Sequence, residues 1–210
     1  MARRRSSISA LAALAVGVTL LGLGGCGSTR YTYVTSTSTR TFLKVPGGWK
    51  VFSQSDIRRS PSAAAGSSFP FMAAFDADPN PSVDHSFVSG SRPFGLVLVR
   101  DLSLSEHDQF SLATLRNTIV KVDDLITADP NAVQVLAPPA LLTPHGLRGS
   151  KLEYTVHQTD GTSFTVDQVG LVDNPTKRVW FLIVGCSASC YPHYASQIRG
   201  VVASWTVEGK

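Results

Sequence analysis

Three strand-like segments in the second half of the chain, separated by two short turn sequences, constrain the fold more than any other feature. Apolar and polar residues alternate strictly over Lys151–His157, which is typical of a β-strand with one solvent-exposed face. Asp160–Gly161 is a pair preferred in tight hairpin turns, and the returning strand is expected over Thr162–Val172. Asn174–Pro175 indicates a second turn, and the continuously apolar segment Val179–Val184 is typical of a central strand. The sequence therefore predicts an antiparallel meander.

The returning strand of this meander changes its pattern midway. Its apolar residues move from even positions, Phe164 and Val166, to odd positions, Val169 and Leu171. Because side chains alternate between the two faces of a strand, this shift predicts a β-bulge near Gln168.

The first half of the chain supplies further strands. Thr41–Val45 and Trp49–Phe52 flank Pro46–Gly48, which predicts a hairpin. Phe69–Phe75 is an apolar segment, and Phe94–Arg100 is apolar on both alternating faces, as expected of a central strand. The connecting segments are rich in Ser, Pro, Asp and Gly and are predicted to be long loops, 53–68 and 76–93.

Residue spacing predicts two amphipathic helices. The first has apolar residues recurring every three or four positions, with Ser105 or Asp108 available to cap its start. These residues are Leu112, Leu115, Ile119, Val122 and Ile126. The second begins near Pro192 and carries Ile198, Val201 and Trp205 on one face. Strands and helices together predict an α+β fold, an antiparallel sheet with helices packed on it.

The first 26 residues have the pattern of an export signal. Arg3–Arg5 is a positive region, and Ile8–Leu23 is an apolar segment of 16 residues. A mature membrane-spanning helix needs about 20 such residues, so this segment is short for that role. The segment ends in Leu23–Cys26, which resembles the bacterial lipobox and implies diacylglyceryl transfer to Cys26 with cleavage before it. A plain secretory signal with an accidental cysteine is the alternative.

The interpretation of the first 26 residues as an export signal divides the chain into three parts. Residues 1–25 are expected to be a lipoprotein signal peptide, residues 26–40 a lipidated flexible tether, and residues 41–210 a globular domain. The tether prediction rests on a run of Ser and Thr with few bulky residues. About 14 flexible residues would hold the domain roughly 20 Å from the membrane.

The charge balance of the mature chain excludes a strongly basic nucleic-acid-binding protein. Without Arg3–Arg5, 16 of the 19 basic residues remain, against 15 acidic residues. Nucleic-acid binding requires a clustered basic face. The pair Arg58–Arg59 is isolated and is expected to lie in a solvated loop rather than to form a phosphate clamp.

Several segments together resemble the PsbP-like superfamily. They are FLKVPGGWKVF from Phe42, the meander 149–184, and YASQIRGVVASWTVEG from Tyr194, with Ser204–Val207 matching a Ser-aromatic-x-Val segment. The superfamily includes the extrinsic P subunit of photosystem II, a Ran-GTPase-binding nuclear-import factor, and lipoproteins of high-GC Gram-positive bacteria. The lipobox points to the last group. This resemblance implies an α/β/α sandwich with binding or assembly roles and no common catalytic residues.

Cys186 and Cys190 lie between the last apolar strand and the final helix, separated by three residues. Outside the cytoplasm two neighbouring thiols usually oxidise, so a structural disulfide is expected. A redox pair or half of a metal site are the alternatives. A redox pair normally has CxxC spacing at a helix start and a nearby cation to lower the thiolate pKa, and neither is present in this segment.

Sequence motifs give little support to an enzyme. The chain has no GxSxG, HExxH, SxxK or glycine-rich phosphate loop. Asp76, Asp78 and Asn80 imitate the start of a calcium loop, but Pro81 and Phe87 stand where that loop needs Gly and Glu. Five dispersed histidines show no ligand spacing and are expected at the surface: His85, His107, His145, His157 and His193. No catalytic residue, metal or cofactor is predicted, and Ser91 and Ser105 carry no nucleophile signature.

Three functions remain open. The first is a non-enzymatic envelope lipoprotein, anchored through Cys26 to the outer face of the cell membrane, which binds or assembles envelope proteins or lipids. The second is a small-ligand or lipid carrier with an apolar cavity between sheet and helix. The third is a hydrolase with a dispersed site.

Overall fold

The computed structural model describes residues 30–60, 69–85 and 90–209, which form two antiparallel sheets and five α-helices. The small sheet has the order β1-β2-β10 and contains β1 (Tyr31–Ser36), β2 (Thr41–Pro46) and β10 (Thr206–Val207). The large sheet has the order β3-β4-β5-β9-β8-β7-β6. Its strands are β3 (Lys50–Phe52), β4 (Phe71–Asp76), β5 (Phe94–Asp101), β6 (Val133–Leu142), β7 (Leu147–His157), β8 (Ser163–Asp173) and β9 (Arg178–Ser187).

The helices cover both faces of the large sheet. The α-helices are α1 (Gln54–Arg59), α2 (Leu104–His107), α3 (Leu112–Arg116), α4 (Val122–Ala128) and α5 (Tyr191–Ser204), and Pro144–Gly146 forms a 3₁₀ turn. On one face, α3 and α4 pack on β6, β7 and β8. On the other, α5 packs on β8, β9 and β2 of the small sheet. The predicted α+β class, with helices on an antiparallel sheet, is confirmed. Within the described ranges, no helix is both long and apolar enough to span a bilayer.

The predicted meander is confirmed. β7, β8 and β9 are neighbours, and Gly161 has a φ of 84° in the turn that joins the first two. β9 is the middle strand of the seven. Its side chains alternate between two cores: Leu182 belongs to the core beneath α5, and Ile183 to the core beneath α4. A continuously apolar sequence thus marks a strand buried on both faces.

The bulge predicted near Gln168 is wrong, because β8 pairs with both neighbours in unbroken register. The change of pattern reflects buried polar side chains instead. Gln168 accepts a hydrogen bond from the Tyr154 hydroxyl at 2.8 Å and donates one to the Arg116 carbonyl at 2.8 Å. The predicted solvent-exposed face of β7 is also wrong, since Glu153 and Thr155 are buried.

The helix predicted over residues 112–126 is two short helices. Asn117 ends α3, its amide donating to the Ala113 carbonyl and its side-chain oxygen accepting from the backbone N–H of Asp123. Ser111, rather than Ser105 or Asp108, caps α3. Leu115 and Val122 are buried as predicted, which is why the spacing imitates one continuous helix.

The hairpin predicted around Pro46–Gly48 is wrong. β2 and β3 belong to different sheets, so the Pro-Gly-Gly turn carries the chain from one sheet to the other. The backbone N–H of Trp49 closes this turn on the Pro46 carbonyl at 2.9 Å.

The tether predicted over residues 26–40 is also corrected, because β1 pairs with β2 along its whole length. Tyr and Thr favour strands, and Val34 on the inner face is buried in the core. The following turn is structural as well, since the carbonyl of buried Thr39 accepts a hydrogen bond from Trp180 Nε1 at 2.9 Å. The folded domain therefore includes residues 31–40 and does not begin at 41. The proposed signal peptide and Cys26 lie outside the described residues.

The closing helix forms as predicted. α5 begins at Tyr191 with Pro192 in its first turn. Ile198, Val201 and Val202 are buried against the apolar core, and Trp205, directly after the helix, is partly buried there.

Candidate functional site

A cleft of about 740 Å³ lies at the end of the large sheet where β7 and β9 begin and β5 and β8 end. Five separate segments line it. They are the β1–β2 turn (38–40), the segment from the end of β5 through α2 (101–107), the β6–β7 connection (146–147), the β8–β9 turn with the start of β9 (173–180), and the C-terminal residues 208–209. We call this the open end of the sheet.

The floor of the cleft is apolar and fixed. Leu147 from β7, Trp180 from β9 and Leu102 after β5 are all buried. The Trp180 ring is held in place by its hydrogen bond to the Thr39 carbonyl. The floor is therefore continuous with the hydrophobic interior.

Left-handed backbone marks the walls of the cleft. Arg40 (φ 52°), His145 (φ 49°) and Thr176 (φ 54°) are the non-glycine residues with positive φ in the described part of the chain. Arg40 lines the cleft, Thr176 lies between two lining residues, and His145 precedes the lining residue Gly146. Left-handed backbone costs a non-glycine residue about 1–2 kcal/mol, and such residues concentrate at binding and active sites. Their clustering singles out the open end as the candidate functional site.

Hydrogen bonds hold two of these residues in place. The Arg40 guanidinium donates to the Gly209 carbonyl at 2.8 Å, and the backbone N–H of Glu208 donates to the Arg40 carbonyl at 3.1 Å. The Thr176 hydroxyl accepts from Arg148 at 2.7 Å. The C-terminal segment and the β8–β9 turn are thus fastened to the body of the domain.

Most charged groups around the cleft serve its structure. Arg178 and Asp101 form an ion pair at 2.5 Å across the β9–β5 pairing. Glu106 in α2 accepts hydrogen bonds from the Ser103 backbone and from Arg100, which lower its pKa to about 2. His107 Nε2 faces the Leu102 carbonyl at 3.2 Å rather than a hydroxyl or thiol.

Two opposite charges at the cleft remain available. Lys177 and Glu208 line it, and neither side chain forms an ion pair within the described ranges. Leu104, which lines the cleft in the segment 101–107, is 85% exposed. Apolar, cationic and anionic contacts together suit recognition of another polypeptide.

The predicted cysteine pair lies at the opposite end of the large sheet. The Cys186 and Cys190 sulfurs are 2.10 Å apart, at disulfide distance, and both residues are buried. They span the step from the end of β9 to the start of α5. We call this region, with Tyr191 and Asp167 beside it, the closed end.

A buried polar cluster at the closed end has no counterpart in the sequence predictions. The Tyr191 hydroxyl donates a hydrogen bond to Asp167, and Lys151 Nζ lies 3.7 Å from the other carboxylate oxygen. Burial raises the pKa of Asp167, and burial and the Asp167 contact raise the pKa of Tyr191. Glu153 pairs with Arg199 at 2.7 Å, which outweighs burial and lowers the pKa of Glu153. The alternation of apolar and polar residues in β7 could have revealed this cluster. Its polar residues were instead interpreted as facing solvent, whereas α5 covers them.

The acidic run at residues 76–80 organises its own loop. Asp76 is buried and accepts hydrogen bonds from the backbone N–H groups of Asp78 and Ser82, each at 2.9 Å. His85 Nδ1 lies 2.6 Å from the same carboxylate. Among the described residues, no three His, Cys, Asp or Glu side chains are grouped to hold a metal ion.

The remaining histidines and the arginine pair named in the sequence analysis lie in separate parts of the fold. His107 and His145 both border the cleft, whereas His157 lies at the end of β7 and His193 in the first turn of α5. The loop predicted over residues 53–68 is wrong at its start, because Arg58 and Arg59 lie in the last turn of α1. Arg59 pairs with Asp56 there at 2.5 Å.

The fold has counterparts among solved structures. Cyanobacterial PsbP (CyanoP) from Synechocystis matches with a TM-score of 0.50 and 14% identity, covering 90% of this chain and 98% of that chain. LpqN, involved in cell envelope biogenesis of Mycobacterium tuberculosis, matches with a TM-score of 0.48 and 16% identity, covering 85% and 90%. The Ran-binding protein Mog1p of Saccharomyces cerevisiae matches with a TM-score of 0.47 and 9% identity, covering 84% and 95%.

At these identities the likeness concerns the fold alone. No protein-family model matches the sequence, and no curated protein matches it significantly. The expected resemblance is nevertheless confirmed at the level of architecture, because CyanoP aligns over nearly its whole length with the two sheets and helices described above. The chain has the PsbP-like fold.

Proposed function

We propose that this protein is an exported lipoprotein, anchored through Cys26 to the outer face of the cell membrane, whose domain binds a polypeptide segment of an envelope partner in the cleft at the open end. The observation that carries the proposal is the concentration of left-handed residues, Arg40, His145 and Thr176, around one cleft. The role is binding or assembly, without catalysis.

The shape and chemistry of the cleft favour a polypeptide. Its volume of about 740 Å³ suits a few residues of an extended segment or loop. An apolar floor receives a hydrophobic side chain, while Lys177 and Glu208 offer charges of both signs. Exposed Leu104 adds an apolar contact at the rim, where burial against a partner contributes affinity.

A lipid or small-ligand carrier is supported less well. That function needs an apolar cavity between sheet and helix, and the space between the large sheet and α5 is occupied by packed side chains. Leu182 and Val184 of β9 and Ile198 of α5 are fully buried in one cluster there. The hydrolase alternative is also weaker, since Arg178, Asp101 and Glu106 are engaged in structural pairs.

The anchor is supported by the positive region, the apolar segment and the lipobox-like Leu23–Cys26 occurring in register. The disulfide distance between Cys186 and Cys190 is consistent with export to an oxidising compartment. Intact mass spectrometry of the membrane fraction should find a mature chain beginning at Cys26 with a diacylglyceryl adduct. Cys26→Ala should yield a soluble or unprocessed protein, and a processed, detergent-extracted C26A lipoprotein would contradict the assignment.

Affinity capture of envelope components by the full chain tests the cleft. Leu104→Glu places a charge at the rim of the cleft, and Leu141→Glu places one on β6, where Leu141 is 76% exposed. We expect L104E to lose a protein that the wild type and L141E both retain, measured by quantitative mass spectrometry. Equal recovery of that protein with L104E and L141E would exclude the cleft as its binding site. Stoichiometric lipid in the eluate without a protein would favour the carrier.

A further inference from the structure

A second concave surface lies between the small sheet and α5. This groove has a volume of about 590 Å³. Arg30, Tyr31 and Lys44 line it on the side of the sheet, and small or polar residues of α5, including Ser196, Gly200 and Ser204, line it on the other. It is separate from the cleft at the open end, with which it shares no lining residue.

The charge of the groove has one sign. Its lining residues include two cations and no Asp or Glu. Neither Arg30 nor Lys44 forms a salt bridge within the described part of the chain. The mature chain is nearly neutral, so this is a local positive surface and suits an anionic ligand.

Aromatic side chains extend this surface along the small sheet. Tyr33 is the cross-strand partner of Lys44 and is 66% exposed. Tyr31 is 38% exposed, and the Arg30 guanidinium lies 5.6 Å from the centre of its ring. Tyrosine, with an apolar ring and a polar hydroxyl, is characteristic of membrane interfaces, and cations beside it attract anionic headgroups. We call Arg30, Tyr31, Tyr33 and Lys44 the outer face.

The length of chain before the domain limits where the outer face can lie. Four peptide units separate Cys26 from Arg30, so their Cα atoms are at most about 15 Å apart. Lipidation at Cys26, as proposed above, therefore keeps Arg30 close to the bilayer. The strand β1 shortens the connection from the expected 14 residues to four, and the domain cannot stand away from the membrane as a long tether would allow.

We infer that the outer face and the adjoining groove form a docking surface for anionic phospholipid. Binding at this surface holds the anchored domain against the membrane with the outer face toward the bilayer. This inference rests on the proposed lipid anchor for proximity, but its chemistry belongs to Arg30, Lys44 and the two tyrosines. The open end is left to bind its partner.

Lysine footprinting of the full chain, purified from the membranes of the cells that produce it, tests this inference. The protein is reconstituted with vesicles of phosphatidylcholine alone, or with roughly one-third phosphatidylglycerol. A membrane-impermeant amine reagent then modifies accessible lysines, and mass spectrometry compares Lys44 with Lys121, whose side chain is 77% exposed in the turn before α4. Flotation is measured on the same samples.

We expect labelling of Lys44, but not of Lys121, to fall several-fold on the anionic vesicles, and high salt to restore it while the protein still floats. Arg30→Gln should weaken the protection of Lys44, whereas Arg58→Gln on exposed α1 should not. Equal relative labelling of Lys44 on both vesicles, with flotation intact, overturns the docking surface and leaves the anchor standing. Flotation on anionic vesicles alone, with Lys44 protected, sustains the docking surface and overturns the anchor. If the protein floats with neither kind of vesicle, both the docking surface and the anchor are overturned.

Discussion

The two ends of the large sheet are built in opposite ways. At the closed end, Cys186 and Cys190 lie at disulfide distance, and the Tyr191 hydroxyl reaches down from α5 to buried Asp167. At the open end, five chain segments surround a cleft without covering it, and Arg40 and Thr176 in its walls have left-handed backbone conformations.

This difference assigns stability to the closed end and the proposed binding to the open end. Left-handed backbone in non-glycine residues persists only where surrounding structure enforces it, and α5 and the closed end supply buried contacts that make the domain rigid. The open end can then present an unfilled surface to a partner. We expect substitutions at the closed end and beneath α5 to reduce stability, and substitutions at the open end to change binding with little loss of stability.

The largest expected effect is at the core beneath α5. Ile198→Ala removes a fully buried side chain and should lower the free energy of unfolding by about 2–5 kcal/mol, measured by chemical denaturation. Gln197→Ala, at an exposed neighbouring position, is the matched control and should have little effect. Equal stability of both variants would mean that α5 does not hold the sheet as described.

The buried hydrogen bond at the closed end should come next. Tyr191→Phe leaves Asp167 buried without its hydroxyl donor, which should cost about 1–3 kcal/mol in the same denaturation assay. Tyr33→Phe removes the hydroxyl of an exposed ring and should change stability little. An unchanged midpoint for Y191F would show that the Asp167 carboxylate is satisfied in another way.

The cysteine pair should contribute a similar or smaller amount. A bond between Cys186 and Cys190 closes a five-residue loop, and the loop-entropy relation gives about 2 kcal/mol for its loss in the double Ser variant. Peptide mapping of the exported protein without reductant should recover one linked species. Free thiols at both positions would contradict the oxidised closed end.

The smallest expected effect, of opposite sign, is at the open end. His145 is exposed and has a left-handed backbone conformation, which glycine adopts without strain. His145→Gly should therefore raise the free energy of unfolding by up to about 1 kcal/mol, after subtraction of the entropic cost of glycine. Thr143→Gly, at an exposed neighbour with a φ of −135°, should lower it instead. If H145G were as destabilising as T143G, the open end would carry no backbone strain at this position.

The sequence allowed much of the interior to be predicted. Val179–Val184 and the Ile198 face of α5 were found because burial on one or both faces leaves a direct pattern of apolar residues. The same rule failed where hydrogen bonds replaced apolar contacts. Gln168 and Glu153 are buried polar residues, and their partners Arg116 and Arg199 are far away in the chain.

The surface was harder to predict. β1 resembles a tether in composition, because only its pairing with β2 shows that Thr and Tyr are in a strand. The cleft could not be inferred at all, since its walls come from five distant segments. The left-handed backbone at Arg40 and Thr176 could not be predicted either, because neither position has the glycine that usually marks this conformation.

Photo-crosslinking from the open end tests whether a polypeptide binds in the cleft. A photoreactive phenylalanine analogue replaces Leu104 at the cleft or Leu141 on β6, both highly exposed, in the full chain expressed in its own envelope. We expect a discrete protein adduct from position 104, lost when Lys177→Glu and Glu208→Lys are introduced together, and no such adduct from position 141. Crosslinks to the same protein from both positions, or from position 141 alone, would contradict binding at the open end.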